Sequence, residues 1–466
     1  MQRAERPIVT FLGAARTVTG SKFLVDTPRS RVLIDCGLFQ GVKRLREKNW
    51  EPFPVDPASV DAVVLSHGHL DHVGYLPALC KSGFSGSIWA SESTGRLTEL
   101  VLADSGRIQE ADAERANRKG YTKHNPALPL YTQEDAISAA TQLRVAPWAS
   151  ATQVADGLSI RLSRAGHILG SASILVEFDD GTEPLHVSGD LGRPEHPVLL
   201  PPDPCPGAGT VIMESTYGDT EHYEEDGTDA LGDVISRTAD RGGSVVIPAF
   251  SVDRTEVILI ALKRLTDAGT IPKIPIYLDS PMARSALGFY VRAVAESQYE
   301  IRPDVAGRPE VFNPGDLRIT QSVDDSKAIN FIEPPLVIIS ASGMATGGRV
   351  LHHLKRVLPD AASSVALVGY QAQGTRGRRL LDGEPDVRIH GEDWPVRAEI
   401  ASVPSFSVHA DRSELLDWLA GAERAPERVI AVHGDPEAMD SLAVAVQSRF
   451  GQRLMTPGEG ESVLLS

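Results

Sequence analysis

His67, His69, Asp71 and His72 stand within one seven-residue stretch, SHGHLDH from Ser66 to His72, although the 466-residue chain has only 13 histidines. Imidazole and carboxylate donors without thiolate suit zinc or, second to it, manganese. An HxH pair alone carries little weight, since lone surface histidines are common; four donors at this spacing form a metal-ligand set. One short segment cannot complete the surroundings of two ions. Three further donors stand at the ends of apolar runs: His167 in RAGHILGSAS, Asp190 in HVSGDLGR and His433 in AVHGD. Each alone reads as an ordinary turn residue. Together they supply the ligands that SHGHLDH lacks.

The elements that must hold these donors follow from the apolar pattern. DAVVLS reads as a strand ending at Ser66, and LDHVGYLPALC has helical spacing, so SHGHLDH occupies a strand-to-helix turn. The first 200 residues are strand-rich, with PIVTFLG, SKFLVD, SRVLIDCG, LSIRLSRAGHIL and SASILVEFDD separated by turn residues. This predicts sheet stacked on sheet with helices outside. Beyond PPDPCPGAG and ESTYG the pattern changes to near-continuous apolar strands, SVVIPAF, KIPIYLDS, PLVIIS and SVALVGY, with helical segments between them. That is the signature of a parallel α/β unit. From about Trp394 shorter strands return in AEIASV and RVIAVHG. The order implies a host domain over residues 1–218, an inserted domain over 219–393 and the end of the host over 394–466.

Composition narrows the class. Hydrophobic residues make up 42% and charged residues 23%, average for a soluble globular protein. The N-terminus has no apolar leader and no run is long enough to span a bilayer, so a cytoplasmic location is expected, with no membrane partner. Cys36, Cys80 and Cys205 form no CxxC pair, which fits a reducing compartment and argues against thiolate ligands. A net charge of -16 argues against a broad nucleic-acid-binding face. The densest cationic spot, Arg376, Arg378 and Arg379, reads as solvated surface.

The HxHxDH run, the lone His, the strand-ending Gly-Asp and the late His-Gly resemble the metallo-β-lactamase fold, and Asp35 in LIDCG matches its strand-ending Asp. ESTYGD from Glu214, SFSVHADRSEL with His409 and AVHGD with His433 resemble motifs A, B and C of the β-CASP nucleases. PAFSVDRTE, LDSPMA, SASGMATGGRVLHHL and GYQAQGTRGRRL resemble segments of the inserted domain in bacterial and archaeal members and in the nuclease subunit of the eukaryotic pre-mRNA 3′-end cleavage machinery. The resemblance implies an α/β architecture, a metallo-β-lactamase αββα sandwich with an inserted parallel α/β β-CASP domain.

It also implies roles. His67, His69 and His167 would hold one zinc, Asp71, His72 and His433 a second, with Asp190 bridging and Asp35 orienting ligands from behind; manganese is the alternative metal. The implied reaction is hydrolysis of phosphodiester bonds in single-stranded RNA. Asp71 would accept the water proton, and His409, oriented by Glu214, would protonate the leaving oxygen. A histidine at motif C goes with RNA rather than DNA. The glycine-rich SASGMATGG, carrying Ser342 and Gly343, could hold a phosphate on its backbone N–H groups or be a turn with packing glycines. Arg254 is the other candidate phosphate contact, although Asp253 beside it stands where many relatives have glycine.

A thioesterase or lactonase on the same metal core, and an inactive scaffold, are the competing readings; the inserted domain, His409 and the complete ligand set argue against them. DNA as substrate is opposed only by His433. Endonucleolytic and 5′-to-3′ exonucleolytic cleavage both stay open, as do the RNA target, the native metal and the oligomeric state, a homodimer included. His124, His186, His196, His222, His352, His353 and His390 have no spacing that asks for a role and read as structural or solvent-facing.

Overall fold

The computed structural model describes residues 3–120, 124–222, 227–369 and 371–466. The chain forms two compact units, one built from Met1–Glu221 with His409–Ser466 and the other from His222–Val408. Tyr370, within one of the segments that carry the resemblance, lies outside the described residues.

The first unit stacks two seven-stranded sheets. Alternation along the strands explains the stacking: in Leu158–Arg164 the residues Leu158, Ile160 and Leu162 are buried and their neighbours are not. These side chains meet Val9, Phe11, Val25, Ile34 and Val64 of the opposite sheet in one continuous core. The C-terminal strand Ser462–Leu464 returns to pair antiparallel with Ile8–Phe11, so the two ends of the chain close the first sheet together. On the outer face of the second sheet, helices Arg412–Ala420 and Pro436–Phe450 bury Leu415, Trp418, Met439, Leu442 and Val446 against Val211, Met213, Val429 and Ala431. The 28-residue helix Glu92–Lys119, begun by a Ser91 side-chain cap, lies beside strands of the first sheet. The result is the expected αββα layering.

The second unit is a six-stranded parallel sheet, in spatial order Leu317–Ile319, Ile276–Leu278, Leu336–Ser340, Ser244–Pro248, Ser364–Val368 and Glu399–Val403. Its central strands are buried at every residue, as their unbroken apolar runs require. Behind the end of Ile276–Leu278, Asp279 is fully buried and is met by Thr320 Oγ1, Ser326 Oγ, Arg349 Nη1 and His353 Nε2 at 2.6 to 2.7 Å. Burial alone would raise its pKa. The hydrogen bonds from His353, Ser326, Thr320 and Arg349 outweigh burial and hold the carboxyl well below its usual range.

One boundary differs from the sequence expectation. The sequence places the return to the host at Trp394, whereas Glu399–Val403 is the edge strand of the inserted sheet, paired from Ser364↔Glu399 to Val368↔Val403. The chain rejoins the first unit only at His409. A five-residue strand of mixed polarity has the same local pattern whichever sheet edge it completes, so only the pairing decides.

Candidate metal centre

The donors gather where strands of the first unit end. Strands Arg31–Ile34 and Ala62–Val64 run parallel, and just beyond their ends stand Asp35 and the SHGHLDH turn. The turn enters the short helix Leu70–Val73 with His69 as its N-cap residue. The loop after Asp35 lies directly against it: Cys36 N donates to His72 O at 2.7 Å and Leu38 N to Leu70 O at 2.9 Å. Gly37 permits this approach, because a Cβ there would fall 1.5 Å from Asp71 O.

Three overlapping groups of donors result among the described residues. His67, His69, His167 and Asp190 form one, Asp71, His72 and His433 a second, and Asp190, Glu214 and His433 a third; within each, one donor atom per residue lies within 4.8 Å of the others. Asp190 faces both of the first two. Its Oδ2 is 3.5 Å from His67 Nε2 and 3.8 Å from His167 Nε2, while its Oδ1 is 3.3 Å from His72 Nε2 and 3.4 Å from His433 Nδ1. The structure therefore brings together all seven residues that the sequence proposed as ligands.

The chemistry of this cluster fits cations. His67, His72, His167, Asp190 and His433 are at most 4% exposed, and imidazole nitrogens face one another: His67 Nε2 and His69 Nδ1 at 3.2 Å, His72 Nε2 and His433 Nε2 at 3.3 Å. Among the described residues Asp190 Oδ1, the oxygen that faces His72 and His433, is buried with no hydrogen-bond partner. Buried polar atoms without partners are costly unless something else satisfies them. Burial first, then neighbouring imidazoles, hold His67 and His167 well below the usual histidine range, so both are neutral donors. Asp190 is pushed up by burial, but His433, His72 and His67 outweigh it and keep the carboxylate ionised.

Asp35 stands behind this cluster. Its carboxylate accepts from Ser66 N at 2.7 Å and Ser66 Oγ at 2.8 Å and faces His72 Nδ1 at 2.7 Å, turning His72 Nε2 toward the donors. Ser66, which the sequence reading left without a role, also faces His67 Nδ1 at 3.1 Å. At the rim, the His409 side chain is 19% exposed and Glu214 is fully buried; His409 Nδ1 faces both carboxylate oxygens of Glu214. Glu214 is held in turn by Leu191 N at 2.7 Å.

The other candidates lie in the second unit. Strands Ser244–Pro248 and Leu336–Ser340 are parallel neighbours, and at their ends stand Phe250 and Ser342-Gly343. Gly343 is buried with its Cα against Phe250, where a Cβ would fall 2.8 Å from the ring. Ser342 Oγ accepts from Thr346 N at 3.2 Å. Arg254 is 5% exposed, its guanidinium packed on Gly369. Asp253 before it has φ 70°, a conformation that glycine enters without steric cost. Here Tyr290 donates to Asp253 Oδ1 at 2.6 Å. The arginine cluster is compensated locally: Arg378 pairs with Asp382, Arg379 with Glu384, and Arg376 donates to the carbonyls of Ala345 and Arg388. No helix among the described residues is long and apolar enough to cross a membrane.

Family models match for the metallo-beta-lactamase superfamily over residues 17–231, the Beta-Casp domain over 255–380 and the Zn-dependent metallo-hydrolase RNA specificity domain over 393–457. The chain is 39% identical to Ribonuclease TTHA0252 of Thermus thermophilus, covering 98% of this chain and 99% of that one. It is 31% identical to Transcription termination factor FttA of Pyrococcus abyssi, covering 98% of this chain and 71% of the relative, and 30% identical to the FttA of Methanocaldococcus jannaschii, covering 96% and 70%. A crystal structure of a protein of unknown function from Enterococcus faecalis shares the fold, with a TM-score of 0.52 at 14% identity over 99% of this chain and 100% of that one.

Proposed function

The chain belongs to the β-CASP family of the metallo-β-lactamase superfamily, and from that premise we propose that it is a ribonuclease hydrolysing phosphodiester bonds of single-stranded RNA with two zinc ions. The observation that carries this reading is the double donor cluster bridged by Asp190, with the Glu214 and His409 pair beside it. His67, His69 and His167 would hold one ion, Asp71, His72 and His433 the other. Such a pair supplies Lewis acidity toward a water nucleophile and the phosphoryl oxygens.

The chain's own residues supply the rest. Asp71, the most exposed carboxylate of the cluster at 21%, is placed to accept the proton of the attacking water. His409 donates a proton to the leaving oxygen from a ring that Glu214 holds by Nδ1, which directs Nε2 away from the carboxylate. Ser342, Gly343 and Arg254 are assigned to substrate phosphate. Support for that assignment is their place beyond the C-terminal ends of neighbouring parallel strands, the side on which open α/β sheets bind ligands.

Single-stranded RNA labelled at the 5′ end in one sample and the 3′ end in another, incubated with zinc-replete wild type and Asp71→Asn beside matched DNA, tests the proposal. Metal-dependent RNA cleavage that the variant lacks is expected, and product lengths distinguish internal cuts from stepwise release. Intact RNA with two ions bound would overturn it in favour of another hydrolase on the same core.

A further inference from the structure

Strands Thr210–Glu214 and Arg428–Val432 pair in parallel with Glu214 opposite Val432, so the two segments leave the sheet side by side. Ser215 and Thr216 therefore stand against His433. Ser215 Oγ donates to Val432 O at 2.7 Å, and Thr216 Oγ1 lies 3.1 Å from both His433 Nδ1 and His433 O. A hydroxyl carries one proton and two lone pairs. With that proton donated to the carbonyl, Oγ1 can only accept from Nδ1, so Nδ1 carries the ring hydrogen. The lone pair is then on Nε2, the atom that faces His72 Nε2 at 3.3 Å and Asp71 Oδ2 at 3.5 Å.

We infer that Thr216 is a positioning residue for the second cation: the relay from His433 Nδ1–H to Thr216 Oγ1–H to His433 O holds His433 in the tautomer that donates through Nε2. Asp35 does the corresponding work for His72, facing its Nδ1 at 2.7 Å. Asp190 Oδ1 also lies 3.4 Å from His433 Nδ1. In the two-ion reading, on which this inference rests, that carboxylate turns its lone pairs to the cations and leaves Nδ1–H to Thr216.

The test compares full-length wild type, Thr216→Val and Thr216→Ser. Zinc sites are counted and their affinities measured by competition with a chromophoric chelator, and the His433 ring nitrogens of the zinc-free proteins are observed by nitrogen-15 NMR. Expected are two sites in wild type, a second site weakened about ten- to a hundredfold in Thr216→Val with the first unchanged, and recovery in Thr216→Ser. The zinc-free wild type should show hydrogen on Nδ1 of His433. Unchanged affinities in Thr216→Val, or hydrogen on Nε2 in wild type, would overturn the inference. A wild type that binds a single ion refutes the two-ion reading instead, and the ring spectra then decide the relay on their own. Should Thr216→Val fail to fold by circular dichroism, Thr216→Ser and the wild-type spectra carry the decision.

Discussion

His409 Nδ1 lies 3.2 Å from Glu214 Oε1 and 3.3 Å from Oε2, and His409 belongs to none of the three groups of metal donors found among the described residues. Binding and proton transfer are thus separable. His409→Ala is expected to keep its zinc content and lose turnover by about 10²- to 10⁴-fold. Rates measured beside metal analysis check this, and near-wild-type turnover in the variant would remove His409 from the mechanism.

Asp35 reaches the metal centre only through other groups, Ser66 and His72. Asp35→Asn is expected to fold but to bind zinc about ten- to a hundredfold more weakly, with activity restored by excess zinc. Zinc competition on the folded variant checks it. An unchanged affinity would make Asp35 a residue of the fold alone.

In the inserted unit, Asp279 ties Arg349 and His353, at the start of helix Val350–Val357, to the end of a neighbouring strand. Asparagine keeps one acceptor oxygen but sets an NH2 donor against the two buried donors that the other oxygen serves, so Asp279→Asn should cost about 3 kcal/mol in urea unfolding. The carboxyl's folded pKa lies below its unfolded value near 4. Its contribution is therefore complete above about pH 4 and is lost as pH falls below that, and the gap between wild type and variant should narrow from pH 7 to pH 3. A gap that stays constant would mean that the ionised carboxylate is not what the site relies on.

Glu256 is fully buried, and among the described residues no side chain pairs with its carboxyl group. Burial first, then the charge of Asp253, push its pKa well above the usual value. The folded state then holds a proton that the unfolded chain releases above about pH 4, so this group lowers stability as pH rises. Glu256→Gln removes that slope. Its melting temperature should exceed that of wild type by more at pH 8 than at pH 5; equal differences at both would show that Glu256 does not titrate in the folded protein.

How far the site is legible depends on how far apart its partners lie along the chain. The donors of SHGHLDH can be read directly, because a strand ending in a turn and one helical turn confine them within seven residues. Thr216 gives no such signal. Its partner is 217 residues away and is brought to it only by the parallel register of two strands. His353 similarly reads as a featureless histidine until Asp279 is placed 2.6 Å from it.

The sequence by itself determined the kind of chemistry, the αββα host and the presence of a parallel insert, because donor types and apolar periodicity are local properties. Tertiary structure alone decided how Asp190 divides its oxygens between two groups, which side chains set the tautomers of His72 and His433, and that Glu399–Val403 completes the inserted sheet. Those outcomes depend on strand register and on close approach between segments remote in the chain, and no local pattern encodes either.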